Sequence, residues 1–138
     1  MKDGIPAWSV VIVVPRGENT VLALSRGFNP RDPALPGGDS ESTDESPAAT
    51  AHRELLEETG IVANELRCVD QWEGERGQPV FAFVAPKWKG KLRVSTEGKP
   101  FWTHPKTLLV NRATFHQQTQ KLFDKLGDLV LAGEPDAS

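Results

Sequence analysis

The chain has 138 residues, 38% hydrophobic and 25% charged, with a formal net charge of −3 and a pI near 5.6. These values suit one packed domain spanning residues 1–138 and argue against wholesale disorder. They supply no basic field for holding a nucleic-acid backbone or an anionic membrane. Cys68 is the sole cysteine, so no intramolecular disulfide can form and a four-thiolate zinc site is excluded. The first residues lack the apolar stretch of a signal peptide, and apolar runs such as residues 10–14 fall far short of the ~20 residues that span a bilayer. The expectation is a soluble, cytoplasmic protein, monomer or homodimer, with no nucleic-acid or membrane partner.

Residues 8–14, WSVVIVV, are rich in β-branched side chains and run into Pro15-Arg16-Gly17, which predicts a strand and a turn, with residues 21–25 as the hairpin partner. Residues 27–36 carry three prolines and suit a loop, followed by Gly37-Gly38 and an acidic segment over residues 39–46. Pro47–Thr59 is free of internal breakers; Ser46 as N-cap, Pro47 at the first helical position and Gly60 beyond the end predict a helix. Strands are expected at residues 66–72 and 80–85 with a turn at 74–79, and weaker ones at 92–95 and 100–102. Pro105 opens a short helix over residues 104–110. A second long helix is expected over residues 112–132, where Phe115, Leu122, Phe123, Leu126, Leu129 and Val130 form one stripe that Gly127 interrupts. The tail, residues 133–138, is expected to be mobile. This order fits an α+β fold, a mixed sheet with helices on its faces.

Glu54, Glu57 and Glu58 stand at i, i+3 and i+4 of the first helix, within roughly 100° of arc. Like charges so spaced repel. Either a solvated face with Arg53 as partner offsets that cost, or a divalent cation does, since Mg²⁺ prefers carboxylate oxygens and keeps positions open for water and phosphate. Leu55, His52, Ala48 and Leu56 fall on the other side, which makes His52 a packed neutral histidine; Cys68, in a strand, reads as a small core residue.

Taken together, Gly37-Gly38, Glu45, Arg53-Glu54-Leu55-Leu56-Glu57-Glu58-Thr59-Gly60 and Ile61 resemble the box of the Nudix hydrolase family, G-x5-E-x7-R-E-U-x-E-E-x-G-U, where U is bulky and aliphatic. From Glu45 onward every specified position matches. Six residues rather than five separate Gly38 from Glu45, with Asp44 where family members often carry glycine, so this loop is one residue longer. The likeness extends more loosely over the chain: two strands ending at Arg26 precede the box, and Glu97-Gly98 before Trp102 follows it.

The resemblance implies an α/β/α sandwich and an Mg²⁺-dependent hydrolase, with Mn²⁺ as a substitute, that cleaves a diphosphate bond in a nucleotide-like small molecule. Glu57 and Glu58 would be the main metal ligands, Glu54 a ligand or the base, and the Gly37 carbonyl a further oxygen. Arg53 would hold Glu57 by an ion pair, Gly60 would let the chain turn away, and Glu97 would be an additional base or ligand. Glu45 would ligate metal or favour the helix N-terminus through its dipole, its spacing to Arg53 tipping toward a role at the site. Asp39, Glu41 and Asp44 read as solvated loop residues. Arg26 contacts phosphate or is a surface cation. For a base, Phe28, Trp72, Phe81, Trp88 and Trp102 are stacking candidates, and Asn111 has an amide that can read a base edge.

Within the enzyme reading, a nucleoside-triphosphate pyrophosphohydrolase of MutT-like type is expected, and ADP-ribose or another sugar nucleotide is the alternative substrate. The rival classes are a non-catalytic nucleotide-binding module, disfavoured by the intact acidic positions, and a nucleic-acid-binding domain, disfavoured by the charge.

Overall fold

The computed structural model describes residues 4–17, 19–29, 31–109, 116–127 and 134–135. The first apolar segment forms β1 (Ser9–Val13), and the chain then changes sheet. β2 (Pro15–Gly17) pairs antiparallel with β3 (Thr20–Arg26), so the expected hairpin is made by β2 rather than by β1. The switch falls at Val14 and Pro15: the Val14 carbonyl accepts the Leu22 N–H at 3.0 Å, while Pro15 has no N–H to continue a ladder.

Two short strands, β4 (Pro33–Ala34) and β5 (Gly37–Asp39), lead to helix α1 (Pro47–Thr59). β6 (Val62–Glu73) and β7 (Pro79–Lys89) form a long hairpin that extends both expected strands, followed by β8 (Gly98–Thr103). Residues 92–95 are not a strand. There the Arg93 N–H donates to the Thr59 carbonyl at 3.0 Å and the Arg93 guanidinium to the Leu56 carbonyl at 3.2 Å, so the segment satisfies the end of α1 instead. A 3₁₀ helix covers Pro105–Leu109, and α2 covers His116–Leu126. Gly127 follows with a positive φ of 54°, and the rest of the expected 112–132 helix, with Phe115, Leu129 and Val130, lies outside the described residues. β9 (Glu134–Pro135) pairs in parallel with Lys87 and Trp88 of β7, so part of the tail expected to be mobile is tied to the sheet.

Among the described residues, one sheet is mixed and runs β5-β1-β7-β6 with β9 added on β7; the β1–β7 pairing is parallel. The other is antiparallel and places β3 between β2, β4 and β8. The mixed sheet is covered on both faces, which is why β1 is apolar at nearly every position. Val10, Ile12 and Val14 pack toward Ala51 and Leu55 of α1, whereas Val13, Ala82 and Val84 pack toward Leu122, Phe123 and Leu126 of α2.

Two expected core residues are at the surface. His52 lies on the outward side of α1 and is exposed, because the helix buries Thr50, Ala51, Glu54, Leu55, Glu58 and Thr59. Cys68 lies on an exposed stretch of β6. No helix among the described residues is long and apolar enough to cross a membrane.

Candidate active site

α1 starts and stops where its sequence dictates. The Ser46 hydroxyl accepts the Ala49 N–H at 3.1 Å, and Gly60 adopts a left-handed φ of 83° while its N–H closes on the Leu56 carbonyl. This registers Glu54 and Glu58, one turn apart, on the buried side of the helix against β5. Their carboxylates and that of Glu97 offer oxygens that all lie within 4.8 Å of one another. Glu97 arrives from the loop before β8, where its carbonyl accepts the Gly27 N–H at 3.2 Å, and the β3–β8 register sets the neighbouring Gly98 opposite Arg26.

Gly37 and Gly38 make room for this group. The Gly37 N–H donates to Glu58 Oε1 at 2.9 Å. A Cβ on Gly38 would stand 2.6 Å from the Glu54 carboxyl carbon, and one on Gly37 would strike the Val10 carbonyl oxygen. The box glycines are therefore required by close approach of backbone and carboxylate.

Burial raises the carboxyl pKa of Glu54 to about 7, against the lowering influence of Arg53. Burial raises Glu58 further, helped by its contact with Glu97 and opposed by the Gly37 N–H. Acids crowded in this way are poor at carrying full negative charge without a counterion. A divalent cation suits them: hard carboxylate oxygens converge from two elements, and the cleft beside them has room for phosphate.

Glu57 is directed differently. Its side chain is mostly exposed and accepts an Arg53 Nη1 bond at 3.2 Å, outside the group of three carboxylates. Arg53 is the hub of the helix. Its Nη1 also donates to Glu54 at 2.9 Å, Nη2 donates to the Asp39 carbonyl at 3.0 Å, and Nε and Nη2 grip Asp44 at 3.0 and 2.9 Å. Asp44, expected as a solvated loop residue, is thus a buried partner of Arg53, and the guanidinium holds its carboxyl far below the usual range. Asp39 is also paired, with Arg76 at 2.8 Å, and Glu41 lies 3.4 Å from Arg53. Glu45 is exposed. The extra loop residue explains the exchange: five residues counted from Gly38 lead to Asp44, whereas seven counted back from Arg53 lead to Glu45.

A cleft of about 780 Å³ is lined by Glu54, Glu58 and Glu97 together with Arg26, Trp72 and Gln118. Arg26 reaches it while bonded to Asp32 at 3.2 Å. The aromatic candidates divide. Trp72 lines the cleft. Phe81 packs against the α1-side core, and Phe28 is exposed with φ 62° and is not among the lining residues. Trp88 and Trp102 stack on each other at 4.9 Å, with Arg16 over Trp102 at 4.6 Å, which makes them structural. Asn111 lies outside the described residues. The sequence had not singled out Gln78 or Gln118 in the lining; isolated glutamines carry no spacing signal.

A family model for the NUDIX domain matches residues 5–126, and the chain belongs to this family of hydrolases. No curated protein shows a significant sequence match. Solved structures share the fold. A MutT structure from work on the Aliivibrio salmonicida and Vibrio cholerae proteins is 15% identical, with a TM-score of 0.67 over 89% of this chain and 94% of its own. The MutT NUDIX hydrolase of Burkholderia pseudomallei is 18% identical, with a TM-score of 0.67 over 84% of this chain and 96% of its own. The NUDIX domain of Shewanella oneidensis NrtR, solved with ADP ribose, is 20% identical, with a TM-score of 0.67 over 88% of both chains.

Proposed function

We propose that this protein is a cytoplasmic, Mg²⁺-dependent hydrolase of a diphosphate bond in a nucleotide, of the nucleoside-triphosphate pyrophosphohydrolase type, and that residues 1–138 act as one domain. The observation that carries this reading is the convergence of Glu54, Glu58 and Glu97 in one cleft. A bound divalent cation supplies charge neutralisation at the phosphates and a more acidic water. Glu58 and Glu54 hold it from the helix, with Glu57 and the Gly37 carbonyl as further oxygens when the site is loaded. Glu54 or Glu97 takes the proton of the attacking water. Arg26, at the cleft wall, faces the phosphates, and Trp72 offers the base a flat apolar surface.

The test is a panel of nucleoside triphosphates and sugar nucleotides in Mg²⁺ and in EDTA, with products identified. Release of pyrophosphate and a nucleoside monophosphate supports the reading; no metal-dependent cleavage of any phosphoanhydride refutes it. ADP-ribose is the second reading, favoured by the likeness to the NrtR domain solved with that ligand. Release of AMP and ribose 5-phosphate would select it.

A further inference from the structure

We propose that Asp44, not the box residue Glu45, is the positioning residue that aims Arg53 and through it holds the Glu54 carboxylate at the metal-binding face. This rests on the hydrolase reading above. The Asp44 side chain is only 5% exposed, and every bond it makes fixes its direction. Both oxygens bind Arg53; Oδ2 also accepts the Thr50 hydroxyl at 2.8 Å and the Glu41 N–H at 2.9 Å. Thr50 is itself held by the Trp8 indole N–H at 2.8 Å. A chain of bonds thus runs from Trp8, just before β1, through Thr50 and Asp44 to the guanidinium.

Two points of a planar guanidinium fixed by one carboxylate leave Nη1 a single direction, and Nη1 is the atom that meets both Glu54 and Glu57. Asp44 belongs neither to the carboxylate group nor to the cleft lining, and it meets the lining residue Glu41 only through that residue's backbone, so its link to the carboxylates runs through Arg53. Glu45 is exposed and has no ion-pair or hydrogen-bond partner among the described residues. The longer loop carries it past the guanidinium and leaves the shorter aspartate in reach.

The experiment compares Asp44→Asn, Asp44→Glu and Glu45→Gln in the intact protein. Asp44→Asn and Glu45→Gln each remove one charge at adjacent positions, so a general charge effect would move both alike. Steady-state hydrolysis should show kcat falling about 10- to 100-fold in Asp44→Asn with KM within about twofold, as for other residues that orient a ligand-bearing group. Glu45→Gln should stay within about twofold of wild type, and Asp44→Glu, which keeps the charge, should recover part of the loss. The same variants are titrated with Mn²⁺ alone, read by water-proton relaxation, and the Arg53 Nε–H resonance is followed by ¹⁵N NMR. Weaker Mn²⁺ binding and faster exchange of that proton in Asp44→Asn alone support the proposal. Equal losses in both variants, an undisturbed Arg53 resonance in Asp44→Asn, or a lowered melting temperature with kcat and Mn²⁺ binding unchanged would overturn it. If Asp44→Asn does not fold, Thr50→Val, which removes one bond to Asp44, takes its place under the same criteria. A wild type that cleaves no phosphoanhydride defeats the hydrolase reading, while the Mn²⁺ and NMR measurements still decide the role of Asp44.

Discussion

Glu54 and Glu58 stand one helical turn apart, and each carboxylate lies against a different glycine of the same short strand. Gly37 donates its N–H to Glu58, and the Cα of Gly38 faces Glu54 so closely that any side chain there would displace the carboxylate. The acidic edge of the helix and the glycine pair of β5 are therefore one unit. Buried acids held in this way store a cost that a cation or a proton relieves.

Glu58→Gln removes one buried anion while keeping shape and helix propensity. In EDTA its melting temperature should equal that of wild type or exceed it, because repulsion with Glu54 and Glu97 is relieved. In saturating Mg²⁺, kcat should fall by orders of magnitude, since charge neutralisation matters most in the transition state. Near wild-type turnover would mean that the three carboxylates are only a crowded surface.

Stability of the metal-free protein should decline with rising pH. Glu54 holds its proton more tightly when folded, near 7, than when unfolded, near 4.5. Its contribution is full below about pH 4.5 and is lost as pH climbs through about 7, on the order of 3 kcal/mol at most. Glu58 is shifted the same way and extends the loss to higher pH. Asp44 has the opposite sign: held well below its usual value, it stabilises above about pH 4 and is lost only in stronger acid. Denaturant melts in EDTA from pH 5 to 9 should show the decline, and Glu54→Gln should flatten it. A rising profile would contradict the burial of these acids.

Magnesium should reverse that trend. The cation replaces the protons on Glu54 and Glu58, so the rise in melting temperature on adding Mg²⁺ should grow between pH 6 and 8.5. A shift independent of pH would place the ion elsewhere.

The two glycines should respond differently to alanine. In Gly38→Ala the new methyl meets the end of a flexible glutamate, so the fold should lose no more than about 1 kcal/mol while activity drops at least about tenfold through the displaced Glu54. In Gly37→Ala the methyl meets the Val10 backbone carbonyl, which cannot move aside, and stability should fall by about 1–3 kcal/mol or more. Thermal melts paired with kcat would separate them, and equal destabilisation would refute the distinction.

Arg53→Gln should lose both activity and stability, the latter by about 1–3 kcal/mol, because Asp44 loses the paired charge that covers it. The loss should shrink markedly in the Asp44→Asn background, which a double-mutant cycle measures. Full additivity would show that the two side chains do not act together.

Much of this was legible in the chain. Helix α1 was bounded to the residue, because Ser46, Pro47 and Gly60 act through local backbone geometry that neighbours in space do not alter. The box named the acidic helix and the paired glycines, and the looser likeness beyond it named the distant Glu97. Spacing along a helix fixes the angle between Glu54, Glu57 and Glu58, but not where the sheet lies around that helix. Only tertiary packing turned Glu54 and Glu58 inward with Glu97 and left Glu57 to Arg53 and solvent. The same holds for β1, whose strand character was plain while its partner was not: both faces of the mixed sheet are buried, so an unbroken apolar run carries no sign of which neighbour it takes. Counting toward the box from either end gave different acids for Arg53. Asp44 was selected by reach, since a guanidinium fixed over β5 can be met by whichever carboxylate the loop path brings beneath it, and that path exists only once helix and sheet are packed together.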